Sequence, residues 1–286
     1  MGPGMSGLPF ARMHGCGNDF VVIDDRAGRW HARRELLAQE LCDRRKGLGG
    51  DGLILIERGT EGADFRMSYT NRTGMDGEMC GNGARCTVLR AAELGLVNNG
   101  KAAMATDAGL IRATIDGHSI TLAMTQPADE RPATAMNLSG GQLQGCYIDT
   151  GVPHVVVFLD GGTALEAFDV AAVGREIRHF AAFERGANAN FAARLADGSF
   201  RMRTYERGVE METLACGTGA VAVGLIAHRR FGSPSPVVIH PTGGGRLEIG
   251  FRVLPDGAFQ DVTLSGPAET IAEGEITDQW LAARGL

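Results

Sequence analysis

Along this chain, apolar and polar positions alternate in short runs broken by glycine more often than they recur at helical spacing. The segment FARMHGCGNDFVVIDD (10–25) predicts two short strands either side of a Gly-rich turn. Residues 31–43, HARRELLAQELCD, place charged and apolar positions on opposite faces of a helix. The loop KGLGGDG then leads to strands at LILIE (53–57) and FRMSYTN (65–71). A helix is predicted from Cys80 through CTVLRAAELGL, stopping near Gly95 and Asn98-Asn99-Gly100. Short strands fill roughly 102–125, and MTQPADERP (124–132) reads as a linker.

The second half repeats the plan. Strand patterns at CYIDT and HVVVFLD precede a helix near 169–180 and strands at NFAARL and FRMRTYE. Cys216 then opens the apolar helical run GTGAVAVGLIAHRRF. The motif at Cys80, CGNGARC, thus returns as CGTGAVA 136 residues later. Gly109 follows Cys80 by 29 residues, and Gly245 follows Cys216 by the same interval. Duplication of a helix-plus-strand unit is the economical explanation. Strands outnumber helices with no run of β-α-β crossovers, which predicts two α+β domains with the active site in the cleft between them. The expected domains are 1–127, joined by the C-terminal strand 270–286, and 128–269.

Bulk numbers narrow the function. The 286 residues are 44% hydrophobic and 22% charged, with no apolar run long enough to span a bilayer, so no membrane partner is expected. A net charge of −6 without a basic tract removes the electrostatic case for nucleic acid. The start MGPGMSGLPF lacks the basic and apolar regions of a secretory signal and reads as a flexible lead upstream of Met5. Six cysteines are too sparse for a disulfide framework, so the expected setting is a reducing, cytoplasmic one. No CxxC or HxxxH pair exists, and no metal is expected.

Two cysteines at helix starts have a chemical meaning. The first helical turn presents unpaired N–H groups and the positive end of the dipole, which favours a thiolate and cradles a carboxylate. Two such thiols acting on opposite faces of one carbon can take a proton and return another. That suits inversion at an amino acid's α-carbon. The usual pyridoxal route needs a lysine, and only Lys46 and Lys101 are present, one beside a Gly-rich loop and one in a turn. No cofactor is expected. Gly15-Cys16-Gly17-Asn18-Asp19-Phe20 does not open a helix, so it is not a dinucleotide loop. Cys16, Cys42, Cys86 and Cys146 are expected to be structural.

The segments MHGCGNDFVVID (13–24), Asn71 to Cys80 with CGNGARC, TGVPHVV (150–156) and YERGV…ETLACGTGA (205–220) closely resemble the diaminopimelate epimerase family, in its order and over nearly the whole chain. The resemblance implies two pseudo-symmetric domains, each a curled, mostly antiparallel sheet around a central helix. It also implies cofactor-independent interconversion of LL- and meso-diaminopimelate in lysine and cell-wall biosynthesis, and a homodimer. By matching position it makes Cys80 and Cys216 the acid/base thiols, tuned by His154 and Glu206. Gly81, Asn82, Gly217 and Thr218 would bind the reacting carboxylate. Asn18, Asn71, Asn188 and Arg207 would hold a small amino-acid substrate with two polar ends, Arg207 against the distal carboxylate. Asn190 competes with Asn188 for its role or makes a turn. The chain departs from the family pattern at Val152, at Gly52 (Gln in some relatives), after Asn71, and in one extra residue of YERGVEMET. These departures bear on the substrate. Rival readings are a racemase or epimerase of proline, hydroxyproline or histidine on the same fold, and a non-catalytic thiol-redox or binding protein.

Overall fold

A computed structural model describes residues 7–60, 62–77 and 80–286. The lead segment 1–6, and Glu78 and Met79 of the first Cys motif, lie outside the described residues. The chain folds as two compact units, one running to Leu122 and including Pro267–Leu286, the other Ala123–Gly266.

In the first unit the elements are β1 (Leu8–Gly15), β2 (Asn18–Asp24), α1 (Arg34–Leu41), β3 (Gly52–Arg58), β4 (Phe65–Asn71), α2 (Gly81–Glu93), β5 (Lys101–Thr106), β6 (Gly109–Asp116) and β7 (Ser119–Ala123). The second holds β8 (Ala128–Leu138), β9 (Gly141–Asp149), β10 (Pro153–Phe158), α3 (Gly162–Glu166), α4 (Val170–Arg178), β11 (Asn188–Arg194), β12 (Phe200–Glu206) and β13 (Met211–Thr213). It continues through α5 (Gly217–Phe231), β14 (Val237–Pro241), β15 (Leu247–Val253) and β16 (Phe259–Pro267). The chain ends with β17 (Glu269–Ile276) and α6 (Asp278–Ala282) in the first unit.

The same pairing scheme builds both units. β2 runs parallel to β3, β3 antiparallel to β4, and β4 parallel to β5; β10, β11, β12 and β14 repeat this order. β17 closes the first unit's sheet by pairing antiparallel with β1, Leu8 opposite Ile276. Each sheet curls around its own helix: α2 touches β1, β2, β3, β4, β6 and β17, and α5 touches β9, β10, β11, β12, β14 and β15. A helix so enclosed must be apolar all round, and α5 is buried continuously from Gly219 to Ala227. The strands between are covered on both faces, which is why Leu53, Ile54, Leu55 and Ile56 are all buried without alternation. Their outer face packs on α1 through Val21, Ile23, Leu37, Leu53 and Leu55. In the second unit α4 does the same against Val155, Val157, Phe191 and Tyr205.

The expected linker is shorter than its sequence implied. Only 124–127 lacks regular structure, and Ala128 already begins β8, eleven residues paired antiparallel with β9. Ten of those eleven residues keep solvent exposure, so no apolar period marked the strand. No helix among the described residues is long and apolar enough to cross a membrane.

Candidate functional site

In the first unit Cys80 is the N-cap of α2, in extended backbone, and its Sγ accepts from the Gly83 N–H at 3.4 Å. Asn82, 1% exposed on the first turn, donates from Nδ2 to Asn18 Oδ1 at 2.6 Å. Asn18 in turn donates to Asp51 Oδ2 at 3.1 Å, and Asp51 is gripped by Arg44 at 2.9 Å. Beside them burial alone would raise the Asp19 carboxyl, but hydrogen bonds from Arg44 and Arg12 hold it below the usual carboxylate range. The chain of amides thus ties the start of β2 to the start of α2. Asn71 ends β4 opposite Gly52, and its side-chain Oδ1 accepts from the Thr73 N–H at 2.8 Å rather than joining that chain.

Arg85, one turn into α2, was not foreseen. It is fully buried, donating to Asn82 Oδ1 at 2.8 Å, to the Gly81 carbonyl at 3.3 Å, to the Pro267 carbonyl at 3.2 Å and to Cys16 Sγ at 3.5 Å. Long helical side chains lean toward the N-terminus, which delivers the guanidinium to the Gly81–Asn82 turn. The second unit has Val221 at the matching position after its cysteine.

In the second unit Cys216 is the N-cap of α5, 8% exposed, with Sγ 3.5 Å from the Thr218 hydroxyl. The Thr218 carbonyl accepts from the Thr150 hydroxyl at 3.0 Å, which anchors the Gly217–Thr218 turn to the end of β9. His154 sits opposite Asn188 in the β10–β11 register. Asn188 accepts the Arg207 backbone N–H at 2.8 Å and donates to the Pro153 carbonyl at 3.1 Å. The Arg207 guanidinium reaches the Arg185 carbonyl at 3.4 Å, and Glu206 Oε1 accepts from the Thr213 hydroxyl at 2.5 Å.

Asn190 makes no turn; it lies fully buried in β11. Its Oδ1 accepts from the Thr204 hydroxyl at 3.0 Å and its Nδ2 donates to the Val155 carbonyl at 3.1 Å, which fixes the amide's orientation. The same Nδ2 lies 3.1 Å from His154 Nδ1, so that nitrogen is the acceptor and the proton sits on Nε2. Nε2 is buried and meets no hydrogen-bond partner among the described residues. Burial first, and then the charge of Arg207, push His154 from 6.5 down to about 3. The neutral ring therefore presents a desolvated N–H donor, a group that native structures keep for a reason.

The other thiols have different surroundings. Burial pushes Cys16 and Cys86 up, and Cys42 to about 12, the pattern of inert core sulfurs, and it also raises the half-buried Cys146. Sequence alone could not single out Asp51, Thr150 or Thr213, because nothing periodic marks them, while Asn190, weighed there against Asn188, keeps a distinct place beside His154. Arg85 was visible within CGNGARC as a charge on an otherwise apolar helix face.

The "Diaminopimelate epimerase" family model matches residues 10–129 and 146–256. The diaminopimelate epimerase of Chlorobaculum tepidum is 40% identical over 270 residues, spanning 93% of this chain and 100% of that protein. That of Flavobacterium psychrophilum is 38% identical over 93% of this chain and 98% of its own. Among solved structures, a PhzF-family phenazine biosynthesis protein from Bacillus anthracis aligns with a TM-score of 0.74 at 16% identity, covering 95% of this chain and 99% of that one. A probable proline racemase from Agrobacterium radiobacter K84 aligns at 0.69 and 17% identity, over 95% and 93%. These two likenesses concern the fold alone.

Proposed function

Since this chain belongs to the diaminopimelate epimerase family, we propose that it is an isomerase that inverts one α-carbon of LL-diaminopimelate to give the meso form. The carrying observation is the 40% identity that extends over the whole length of a relative of that name. A proline, hydroxyproline or histidine racemase is not favoured, since the likenesses named in that direction, to a probable proline racemase and a hydroxyproline epimerase, are at fold level, at 17% and 16% identity.

Inversion requires a base on one face of the α-carbon and an acid on the other. We assign these roles to Cys80 and Cys216, each the N-cap of a buried helix whose first turn is rich in glycine. The thiolate of one abstracts the α-proton; the thiol of the other delivers its own, and the two charge states exchange. The carbanion is the costly intermediate. In this assignment the backbone N–H groups of Gly81–Asn82 and Gly217–Thr218 bind the reacting carboxylate, and pre-aimed donors of that kind are worth about 3 kcal/mol each. His154, a neutral donor at Nε2, and Glu206 tune the thiol pair in this reading, and Arg207 supplies positive charge for the distal carboxylate. The reading includes no cofactor. A homodimer in a reducing cytoplasm completes it, on family resemblance and sparse cysteines.

The test is Cα-hydrogen exchange in D₂O, with diaminopimelate and a panel of other amino acids. Wild type should incorporate deuterium into diaminopimelate and invert it. Cys80→Ala and Cys216→Ala should each lose inversion by a factor on the order of 10³. Deuterium entering proline or histidine instead would replace the substrate. No exchange in any amino acid, with a redox-titrating dithiol, would sink the enzyme reading.

A further inference from the structure

We propose that Arg85 is a positioning residue for the reaction, its guanidinium fixing the Gly81–Asn82 peptide and the Asn82 side chain at the start of α2. This rests on the function just proposed, in which that peptide binds the reacting carboxylate. Arg85 is a full cation at 0% exposure. Its four acceptors are Asn82 Oδ1, the Gly81 and Pro267 carbonyls and Cys16 Sγ. None of them is a carboxylate, and a buried charge without a counterion is costly to keep. Packing of the helix alone does not call for it. The second unit builds the same start on Cys216 and carries Val221 at the matching place. What changes in step with the arginine is the residue three places earlier, Asn82 in the first unit and Thr218 in the second. Guanidinium goes with amide, and valine with hydroxyl.

Two of the bonds carry the effect. Arg85 Nη1 donates to the Gly81 carbonyl at 3.3 Å. That carbonyl shares one planar unit with the Asn82 N–H, so holding the oxygen sets the direction of the N–H. A cation on the oxygen also polarises the N–H and makes it a stronger donor. Arg85 Nη2 donates to Asn82 Oδ1 at 2.8 Å, which leaves Nδ2 as the end that faces β2. Nδ2 reaches Asn18 Oδ1 at 2.6 Å, and Asn18 Nδ2 reaches Asp51 Oδ2 at 3.1 Å. The two amides thus run head to tail from a cation to a carboxylate. Turning either one over would set an NH₂ against the guanidinium or an oxygen against the carboxylate. Position 15 leaves room for this crossing, since a Cβ at Gly15 would stand 3.1 Å from the Asn82 carbonyl oxygen and 3.2 Å from Arg85 Nη2.

Epimerisation of diaminopimelate, measured per folded enzyme on Arg85→Met, Arg85→Lys, Asn82→Ala and Asn82→Ala/Arg85→Met, tests the role. Arg85→Met keeps bulk without a donor and should lower kcat about 30-fold with KM changed less, the mark of an interaction made in the transition state. Arg85→Lys keeps the charge but not the fork, and should lower kcat about fivefold. Both substitutions act on one turn, so the Asn82→Ala/Arg85→Met variant should lose less than the product of the single losses. A second readout needs no turnover. The side-chain amide protons of Asn82 should exchange slowly with solvent in wild type, faster in Arg85→Lys and about tenfold faster in Arg85→Met. Where Arg85→Met does not fold, Arg85→Lys carries both measurements. An active wild type whose kcat survives Arg85→Met and Arg85→Lys within about twofold, while melting temperature falls, would make the arginine purely structural and overturn the role alone. Losses that multiply in the double variant would do the same. A wild type inactive on diaminopimelate would overturn the proposed function, and the role with it, whatever the Asn82 amide shows.

Discussion

An imidazole that must stay neutral in the folded chain makes stability depend on acid, and His154 is such a group. Burial, with Arg207 adding to it, takes the ring from 6.5 to about 3. Unfolded, the same ring binds a proton below about 6.5, so between these values the unfolded chain holds one proton more than the folded one. This contribution is therefore fully present above 6.5 and drains away as pH falls toward 3, at about 1.4 kcal/mol per pH unit. Urea unfolding of wild type and His154→Gln at pH 7 and pH 5 isolates it. Wild type should lose about 2 kcal/mol more than the variant on acidification. Equal losses in the two proteins would mean that His154 is not held neutral. A histidine strand position is ambiguous in a bare sequence, where satisfied core histidines are common. What distinguishes this one is Asn190, which accepts from Thr204 and so has only its Nδ2 left to offer the ring. That arrangement depends on three strands meeting and could not be read from any one of them.

At the scale of elements, the two cysteine-capped helices are homologous in plan but differ in tolerance. Gly83 and Gly219 occupy the same place after their cysteines. A Cβ at Gly83 would press on Met67 and Ile54 only at 3.2 Å, at the ends of side chains that can give. One at Gly219 would lie 2.3 Å from Asn190 Oδ1 and 3.2 Å from Cys216 Sγ. Alanine otherwise favours a helix by about 1 kcal/mol over glycine. Gly83→Ala should therefore leave melting temperature nearly unchanged, whereas Gly219→Ala should cost about 1–3 kcal/mol through overpacking. It should also slow turnover, because Asn190 cannot move without dragging the bond to His154. Thermal melts and kcat measured on both variants check the contrast; a Gly83→Ala loss as large as that of Gly219→Ala would refute it. The helices themselves were legible, since a fully enclosed helix repeats its apolar composition and its glycine-rich start. β8 was not, because a strand that is exposed along most of its length carries no alternation, and Arg131 and Pro132 within it read as linker. The three-residue β13 and five-residue α3 and α6 were too short to leave a period.

For the whole molecule, the last segment of the chain completes the first unit and not the second. β17 pairs with β1 from Leu8–Ile276 to His14–Glu269, and Ile276 and Leu281 enter the same outer core as Val21, Leu37 and Leu53. Arg284 reaches back to Glu40 of α1 at 2.7 Å, and Arg90 of α2 pairs with Glu273. The strand at 270–286 is expected from the sequence to join the first half; the register with β1 adds which hydrophobic face it covers. Deleting residues 269–286 removes two buried side chains, Ile276 and Leu281, worth about 1.5–3 kcal/mol each, and leaves one edge of β1 without its ladder. Against a total stability of about 5–15 kcal/mol, that is enough to open the first unit. Hydrogen exchange on the truncated chain should show the amides of β1, β2 and α1 losing protection while those of β11, β12 and α5 keep theirs. Loss confined to β14, β15 and β16, the elements nearest the cut in sequence, would mean that the terminal strand serves the second unit after all.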